Sequence, residues 1–244
     1  MKKVLMLLVV VSLIAAVPFL FPACAVEESG ETGATEETEA APEGQLPVFK
    51  VGDTWTWSYD MSGTTYTLTE TVTGSETVEG HDCYVIDMLF DPAISSVYDE
   101  VVYTVIKMTY WADKMSGLIG VKQETEVTGG GQTFTSYETY VYDPWIVLFP
   151  LEIGKVVEAS KTTTQYMGDS QVGEPRDTIE RYVVEGKVQV TVAAGTFTCW
   201  KIVIYDGDGN VFVTMWYSDE IKSAVKMIDA ADDGCMELSS YSVN

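Results

Sequence analysis

The sequence predicts an all-β protein with two sequence-related antiparallel units, which form either curved sheets or barrel halves, after an N-terminal signal or anchor helix. Two observations predict this class. Apolar and polar residues alternate with a period of two from Leu46 onward, and the chain holds 14 Tyr, 6 Trp and many Thr and Val, which favour strands. Gly and Asp-Gly turns recur between these runs and divide them into about a dozen strands.

The first element, residues 1–24, is typical of an export signal. Two lysines precede an uncharged apolar segment, residues 4–23, and would remain on the cytoplasmic side. The segment ends in Phe-Pro-Ala-Cys, which resembles the lipobox of bacterial and some archaeal lipoproteins, although Phe21 stands where that motif usually has Leu. We expect cleavage before Cys24 and lipid attachment to its thiol. Cleavage after Ala25 and an uncleaved, bilayer-spanning anchor are the alternatives. All three predict an extracytoplasmic protein, held at the membrane by its lipid or anchor.

The second element, residues 25–46, is predicted to be an acidic disordered tether. It has seven Glu between residues 26 and 46 and almost no large apolar side chains. Such a segment cannot bury enough surface to offset the entropy of ordering it, and its like charges extend it. The tether would hold a folded domain away from the membrane.

The remaining elements are predicted to be a first β repeat, residues 47–146, and a second β repeat, residues 147–244. Similar short motifs recur in the same order in both, which is typical of an internal duplication. The apolar segment from Pro144 to Gly154 would connect the repeats. The matched positions are Gly52 with Gly154, Cys83 with Cys199, Trp111 with Trp216, and Lys122 with Lys226.

One short helix is predicted after the leader, in the stretch that begins with Asp91-Pro92 and ends at residue 100. Asp91 is a suitable helix cap, and Pro92 suits the first helical position because its missing N–H would have no partner there. One or two helical turns are expected.

Three motifs in these repeats carry a resemblance to a known family. They are "LPVFKVGDTWTWSY", "VTVAAGTFTCWKI" and "WYSDEIKSAVK", and they resemble the TapB-like group of secreted and lipoprotein β domains, whose function is unknown. The resemblance covers most of residues 46–229, but "KSAVK" replaces the usual glycine-containing turn. It implies an extracytoplasmic β-rich fold without an assigned activity. Some domains of this group are thought to be similar to the half-barrels of lipoprotein carriers such as LolA.

The charge balance argues against nucleic-acid binding. The chain has 37 acidic residues against 14 Lys and Arg, a net charge of −23, whereas phosphate binding needs a basic face. No cofactor, metal site or catalytic residue is predicted. His81 stands alone next to Asp82 and Cys83 without a motif that would orient it, so a hairpin-turn histidine beside a buried cysteine is the favoured interpretation. Asp206, Asp208 and Asn210 have calcium-like spacing, but the rest of such a loop is absent and a hairpin turn is favoured.

Three cysteines follow Cys24, and an odd count in an exported protein leaves at least one thiol free or paired elsewhere. A disulfide between Cys199 and Cys235 is the predicted pair. Because Cys83 and Cys199 are matched between the repeats, a bridge between those two is disfavoured. A reducing habitat would leave all three as thiols.

Many aromatic residues lie on the predicted strands, where core packing and cross-strand pairing account for them. They could equally line a concave sheet that holds an apolar or glycan ligand. The sequence therefore favours a non-catalytic, membrane-anchored binding protein, whose partner is an apolar small molecule or another envelope component. A cell-surface structural or interaction module without a ligand cavity is the alternative.

Overall fold

The structure is a computed structural model that describes residues 44–61, 64–98, 100–230 and 234–244. This part of the chain is all β, as predicted, and has thirteen strands. Their bounds are β1 Thr54–Met61, β2 Thr64–Val78, β3 His81–Asp91, β4 Ser95–Tyr98, β5 Val101–Asp113, β6 Gly120–Gly129, β7 Gln132–Asp143, β8 Val156–Met167, β9 Ser170–Val192, β10 Gly195–Tyr205, β11 Val211–Ser218, β12 Ser223–Asp229 and β13 Gly234–Ser242.

Twelve of these strands close into one antiparallel barrel. Most strands pair with their neighbours in the chain, and two further pairings close the ring: β1 pairs with β13, and β3 pairs with β5. β4 lies outside the ring and pairs only with the end of β5 among the described strands. Of the two arrangements expected from the sequence, the structure therefore has barrel halves and not separate packed sheets. Closure leaves the ring without exposed strand edges.

The two halves of the barrel have equivalent register. In the first half, Val72 pairs with Ile86, and a bulge follows before Gly74 pairs with Val85. In the second half, Val184 pairs with Ile202, and the same bulge precedes Gly186. The matched tryptophans also pair with the matched lysines, Trp111 with Lys122 and Trp216 with Lys226. The matched residues thus occupy the same places in two six-stranded meanders. The repeat boundaries at residues 47, 146 and 244 stay a prediction.

A segment precedes each half and runs into the barrel. We call residues 44–52 the first strap and residues 146–154 the second strap. Each ends at a glycine with positive φ, Gly52 at 94° and Gly154 at 84°, which glycine adopts without steric cost. The N–H groups of these glycines donate to Val72 and Val184 respectively, both at 2.8 Å. The straps meet where Gly44 and Leu151 exchange two backbone hydrogen bonds.

The second strap fills its half of the barrel. Ile146, Leu148 and Leu151 are completely buried and pack with Tyr182, Trp200, Ile202 and Tyr217. The predicted connection between the repeats is therefore a core element and not a surface loop. The first strap inserts Phe49, which packs edge-to-face on Trp55 with ring centroids 5.3 Å apart.

The predicted helix at residues 91–100 is wrong. Asp91 is the last residue of β3, and Ser95–Tyr98 form β4, which pairs with β5 through Val97 and Val102. The ladder to β5 and the β-branched side chains outweigh the local capping signal, because tertiary pairing routinely overrides weak helix propensity. The signal segment, Cys24 and the tether up to residue 43 lie outside the described residues. No helix in the described ranges has the length and hydropathy to span a membrane.

Candidate functional site

A partly open cavity of about 200 Å³ lies mainly in the first half of the barrel, with Ser223 of β12 also in its lining. Its lining is mostly apolar or aromatic, with one carboxyl group. The lining residues are Phe49, Trp55, Glu70, Ile86, Met88, Tyr110, Ala112, Gly117, Leu118, Gln123 and Ser223. An apolar concavity with a few converging polar groups is the usual form of a small-molecule site.

Strand register builds the wall of this cavity. Glu70 on β2 lies opposite Trp55 on β1 and opposite Met88 on β3. Tyr110 on β5 lies opposite Gln123 on β6. Side chains directly opposite on one face of a sheet are about 5 Å apart at Cβ. The two rows therefore form a continuous inner surface, and Phe49 of the first strap covers it.

Glu70 is the one charged residue in the lining. It has neither a hydrogen-bond partner nor an ion-pair partner among the described residues, and burial raises the pKa of its carboxyl group to about 7. Desolvation disfavours the charged form of an acid, and no cation or donor in the described part of the chain compensates it at Glu70. A half-buried carboxyl with a strongly shifted pKa, facing a cavity, is a functional-site signal.

Tyr110 packs over Gly120, which lies opposite Ala112 and has no side chain. Its ring and hydroxyl occupy the space that a Cβ on Gly120 would need. Its hydroxyl donates to the carbonyl of Leu118 at 3.4 Å. Burial, followed by the charge of Glu70, raises the pKa of Tyr110. The phenol therefore stays neutral, and while it donates to Leu118 its oxygen can still accept a hydrogen bond.

The equivalent space in the second half is filled. Five residues of the cavity lining have a counterpart at the equivalent register position of the second half. The pairs are Phe49 with Leu151, Trp55 with Val157, Glu70 with Tyr182, Ile86 with Ile202, and Ala112 with Tyr217. All five residues of the second set belong to one packed cluster. The largest change is at Ala112, whose counterpart Tyr217 is 1% exposed. The small Ala112 side chain is thus a main reason that the first half has a cavity.

The other carboxylates on inward-facing positions have partners. Glu180 accepts a hydrogen bond from Lys161 at 3.0 Å and from the hydroxyl of Tyr182 at 2.6 Å. Glu138 accepts from the hydroxyl of Tyr140 at 3.0 Å and from Gln165. Buried polar groups are normally satisfied in this way. Glu70 differs because no such partner accompanies it.

His81 begins β3, next to the turn at Glu79 and Gly80. Nδ1 of its ring lies 3.2 Å from Oδ1 of the buried Asp113, and its ring stacks on Trp145 at 4.0 Å. Asp113 is an orienting group that the sequence did not indicate. Even so, the thiol of Cys83 donates to the carbonyl of His81 and not to its ring. Burial, followed by the charge of Asp113, raises the pKa of this thiol to about 11. A protonated, fully buried thiol is a poor nucleophile.

The predicted disulfide between Cys199 and Cys235 is wrong. Cys199 is a free, fully buried thiol whose Sγ donates to the carbonyl of Phe197 at 3.7 Å. Burial, followed by the charge of Glu220, raises the pKa of Cys199 to about 12. Its environment matches that of Cys83, whose Sγ also donates to the carbonyl two residues earlier. Packing in equivalent core positions therefore accounts for both thiols.

The loop at Asp206 is a hairpin turn between β10 and β11. Its carboxylate accepts hydrogen bonds from the backbone N–H groups of Asp208 and Asn210 at 2.9 and 2.8 Å. These hydrogen bonds lower the pKa of Asp206. Asp206 thus closes the turn with its side chain, as Asx turns do.

Sequence reasoning missed Glu70 and Ala112. The alternation places Tyr66, Leu68 and Val72 on one face, and Glu70 falls on that same face by period two. The sequence therefore did indicate that Glu70 is a single acidic residue in an otherwise apolar row that faces inward. The significance of Ala112 could have been found by extending the match of Trp111 and Trp216 by one residue.

Comparisons with known proteins give two structural matches. No family model matches the chain, and no curated protein sequence does. One match is a Bacteroides fragilis protein provisionally described as exported, with a YmcC-like fold: it has 12% identity and a TM-score of 0.37, covering 82% of this chain and all of that one. The other is provisionally described as a lipoprotein, from Parabacteroides distasonis: it has 14% identity and a TM-score of 0.42, covering 82% of this chain and 97% of that one. TM-scores this low carry no argument about this chain, so the TapB-like and LolA-like resemblances stay predictions.

Proposed function

We propose that this protein is a membrane-anchored, extracytoplasmic lipoprotein whose barrel binds a small apolar molecule without catalysing a reaction. The observation that carries the proposal is the cavity of about 200 Å³ in the first half, at a place where the second half is packed solid. The cavity is partly open and its lining is mostly apolar, so without a ligand this surface stays in contact with water and its burial contributes no hydrophobic stabilisation. A ligand that fills the cavity would supply that stabilisation.

The anchoring part of the proposal is supported by the N-terminal sequence. An apolar segment, residues 4–23, precedes Cys24, and a Glu-rich run follows it. Lipidation requires cleavage before Cys24. Replacing Cys24 with Ser removes the acceptor thiol, so this variant should lack the lipid mass and leave the membrane fraction or remain unprocessed. An unmodified N-terminus in the mature wild-type protein would contradict lipidation.

The absence of catalysis is proposed from the state of the nucleophile candidates. Cys83 and Cys199 are fully buried, and burial raises the pKa of each well above neutral. His81 and Asp113 form a pair, but the nearest thiol donates elsewhere. Nucleophilic catalysis needs a base within hydrogen-bond reach of an activated nucleophile.

Native mass spectrometry of the full-length protein, released from membranes of an exporting host, tests ligand binding. We expect a discrete extra mass that is lost on denaturation. The matched control is Ala112→Tyr, which introduces the residue found at the equivalent position, Tyr217. This variant should carry no extra mass. Equal adducts on both proteins, or bare wild-type protein from both its own cells and a foreign host, would overturn the proposal.

A second function, as a protein-interaction module, is favoured by the β4 hairpin. β4 is the end of the strand order and pairs only with β5 among the described strands. Val97 and Val102 pair across this hairpin and are 70% and 56% exposed. A free strand edge beside apolar side chains can accept an additional strand from a partner.

Photo-crosslinking tests the interaction function separately. A photo-crosslinking residue at Val97 should give a discrete protein adduct in intact cells. The same residue at Val141, which is exposed on the barrel wall, should not. Equal labelling at both positions, or none at Val97, would exclude β4 as a docking edge.

A further inference from the structure

The charge of the cavity lining restricts its ligand. Among the described residues, Glu70 is the one lining residue with a charged form at neutral pH, and no Lys, Arg or His lines the cavity. An anionic head group would meet a carboxylate and no compensating cation, which is a strongly unfavourable arrangement in a low-dielectric interior. The chain also carries a net charge of −23, which raises the local concentration of cations and lowers that of anions.

Three aromatic side chains share the cavity with Glu70. Phe49 and Trp55 pack edge-to-face with an interplanar angle of 72°, and Tyr110 on β5 is a third aromatic lining residue. Trp55 is the register partner of Glu70. Aromatic faces attract organic ammonium ions through the negative face of the ring, and aromatic cages recognise such ligands. A carboxylate within the same cavity adds the counter-charge and a hydrogen-bond acceptor.

The second half of the barrel gives an internal reference for this interpretation. At the position of Glu70 it has Tyr182, whose hydroxyl donates to Glu180, and Glu180 in turn pairs with Lys161 at 3.0 Å. There the chain supplies its own ammonium group to the internal carboxylate. In the first half no described Lys or Arg side chain takes that place beside Glu70. Glu180 occupies the register position of Leu68 and not that of Glu70, so the comparison shows that an ammonium group can pair with a carboxylate inside this barrel.

Resting on the proposed function, we propose that the ligand is a small organic ammonium ion with an apolar body. Its N–H groups would donate to Glu70, and its body would lie against Phe49, Trp55 and Tyr110. The cavity is smaller than the roughly 300–1,000 Å³ of pockets that hold drug-sized ligands. The expected class is therefore a monoamine with a short alkyl or single-ring body.

Three probes of similar shape test the proposal by calorimetry at pH 8 on the full-length protein: 2-phenylethylamine, 2-phenylethanol and 3-phenylpropanoate. We expect the amine to bind at least tenfold more tightly than the alcohol, and the carboxylate not to bind. In the isosteric variant Glu70→Gln, the amine and the alcohol should bind equally. In Ala112→Tyr, and in the milder Ala112→Leu, binding of the amine and of the alcohol should be lost. Circular dichroism and the melting temperature would show that each variant is folded.

Each of the following three results would overturn the inference that the ligand is an ammonium ion. If the alcohol and amine bind the wild type equally and both are lost in Ala112→Tyr, the ammonium inference is overturned while apolar-ligand binding stands. If amine binding survives Ala112→Tyr, it reflects the acidic surface, and the inference fails. If no probe binds the wild type, the inference also fails, and the native mass measurement alone decides whether the cavity holds another kind of ligand.

Discussion

The carboxyl group of Glu70 makes the stability of the barrel depend on pH. Its pKa is about 7 in the folded state against 4.5 as a free side chain, so the folded state binds the proton more tightly. Stability is therefore fully present below pH 4.5 and falls as the pH rises to about 7, by no more than about 3 kcal/mol. Tyr110 is the other titratable residue in the lining, and its raised pKa keeps it neutral over this range.

We predict that Glu70→Gln removes this dependence. Urea unfolding of the wild type and the variant at several pH values between 4.5 and 8 measures it. The free energy of unfolding of the variant, relative to that of the wild type, should rise by about 2 to 3 kcal/mol as the pH rises over this range. A difference that stays constant within about 0.5 kcal/mol over that range would show that Glu70 is solvated in the folded protein.

Ala112 and Tyr217 form a second, matched pair of test positions. Tyr217 is 1% exposed and its hydroxyl donates to the carbonyl of Gln45 at 3.5 Å. We predict that Tyr217→Ala lowers the free energy of unfolding by about 3 to 5 kcal/mol, as truncations of buried aromatic residues do. Ala112→Tyr should cost far less, because its side chain enters an existing cavity. Denaturant unfolding compares the two; similar losses would contradict the assignment of filled and empty halves.

At the scale of the elements, the first strap is held at few points and is expected to open before the strands. Asp219 accepts hydrogen bonds from the backbone N–H of Gln45 at 3.1 Å and from Nε1 of Trp200 at 3.0 Å. We predict that Asp219→Ala raises hydrogen exchange in residues 44–49 by tenfold or more, because local opening follows the contacts that hold a segment. Exchange in β5 and β10 should be unchanged.

The control for that experiment is Asp206→Ala. Asp206 also accepts backbone N–H groups, but within its own hairpin turn. Its removal should raise exchange at the β10–β11 turn and leave residues 44–49 protected. Faster exchange throughout the barrel in either variant would mean that the strap does not open independently.

The sequence predicts the strands better than their arrangement, for a physical reason. Alternation with period two depends on which face is buried, so the inward row of Tyr66, Leu68 and Val72 is readable locally. The pairing of β1 with β13 joins residues about 180 positions apart and leaves no local pattern. The wrong helix at Asp91 and Pro92 has the same origin, because pairing of β4 with β5 overrode a capping signal.

The candidate site was only partly predictable. Lining of a concave surface by aromatic residues was one of two open interpretations, and Phe49, Trp55 and Tyr110 do line a cavity. The cavity itself depends on the volume left by Ala112 against Tyr217, which is a comparison between halves in space. The raised pKa of Glu70 depends on its desolvation in the folded barrel. Neither the volume of the cavity nor the pKa of Glu70 can be predicted from residue type alone.

At the scale of the whole molecule, closure couples the two halves into one folding unit. Each half contributes six strands to the ring, and each would expose two strand edges if separated at the pairings β1–β13 and β7–β8. The straps also contact each other through Gly44 and Leu151. We predict a single cooperative unfolding transition for the full chain. Residues 47–146 or 147–244 expressed alone should not fold, because isolated edges and half a core leave too much apolar surface exposed.

Calorimetry checks this prediction through the ratio of the calorimetric to the van't Hoff enthalpy, which should be close to one. Two resolved transitions would contradict it. So would a separate half that gives dispersed amide resonances in solution.

The pairing of β1 with β13 has a consequence for chain connectivity. The backbone N–H of Asn244 donates to Asp53 at 2.8 Å, so the last residue lies beside the start of the first strand. A short linker could therefore join residue 244 to the first strap, and a new start could be opened in the β7–β8 connection. The same ring would form from a circularly permuted chain. In this barrel the order of strands in space is independent of which strand is translated first, and the gene could be reorganised without altering the cavity.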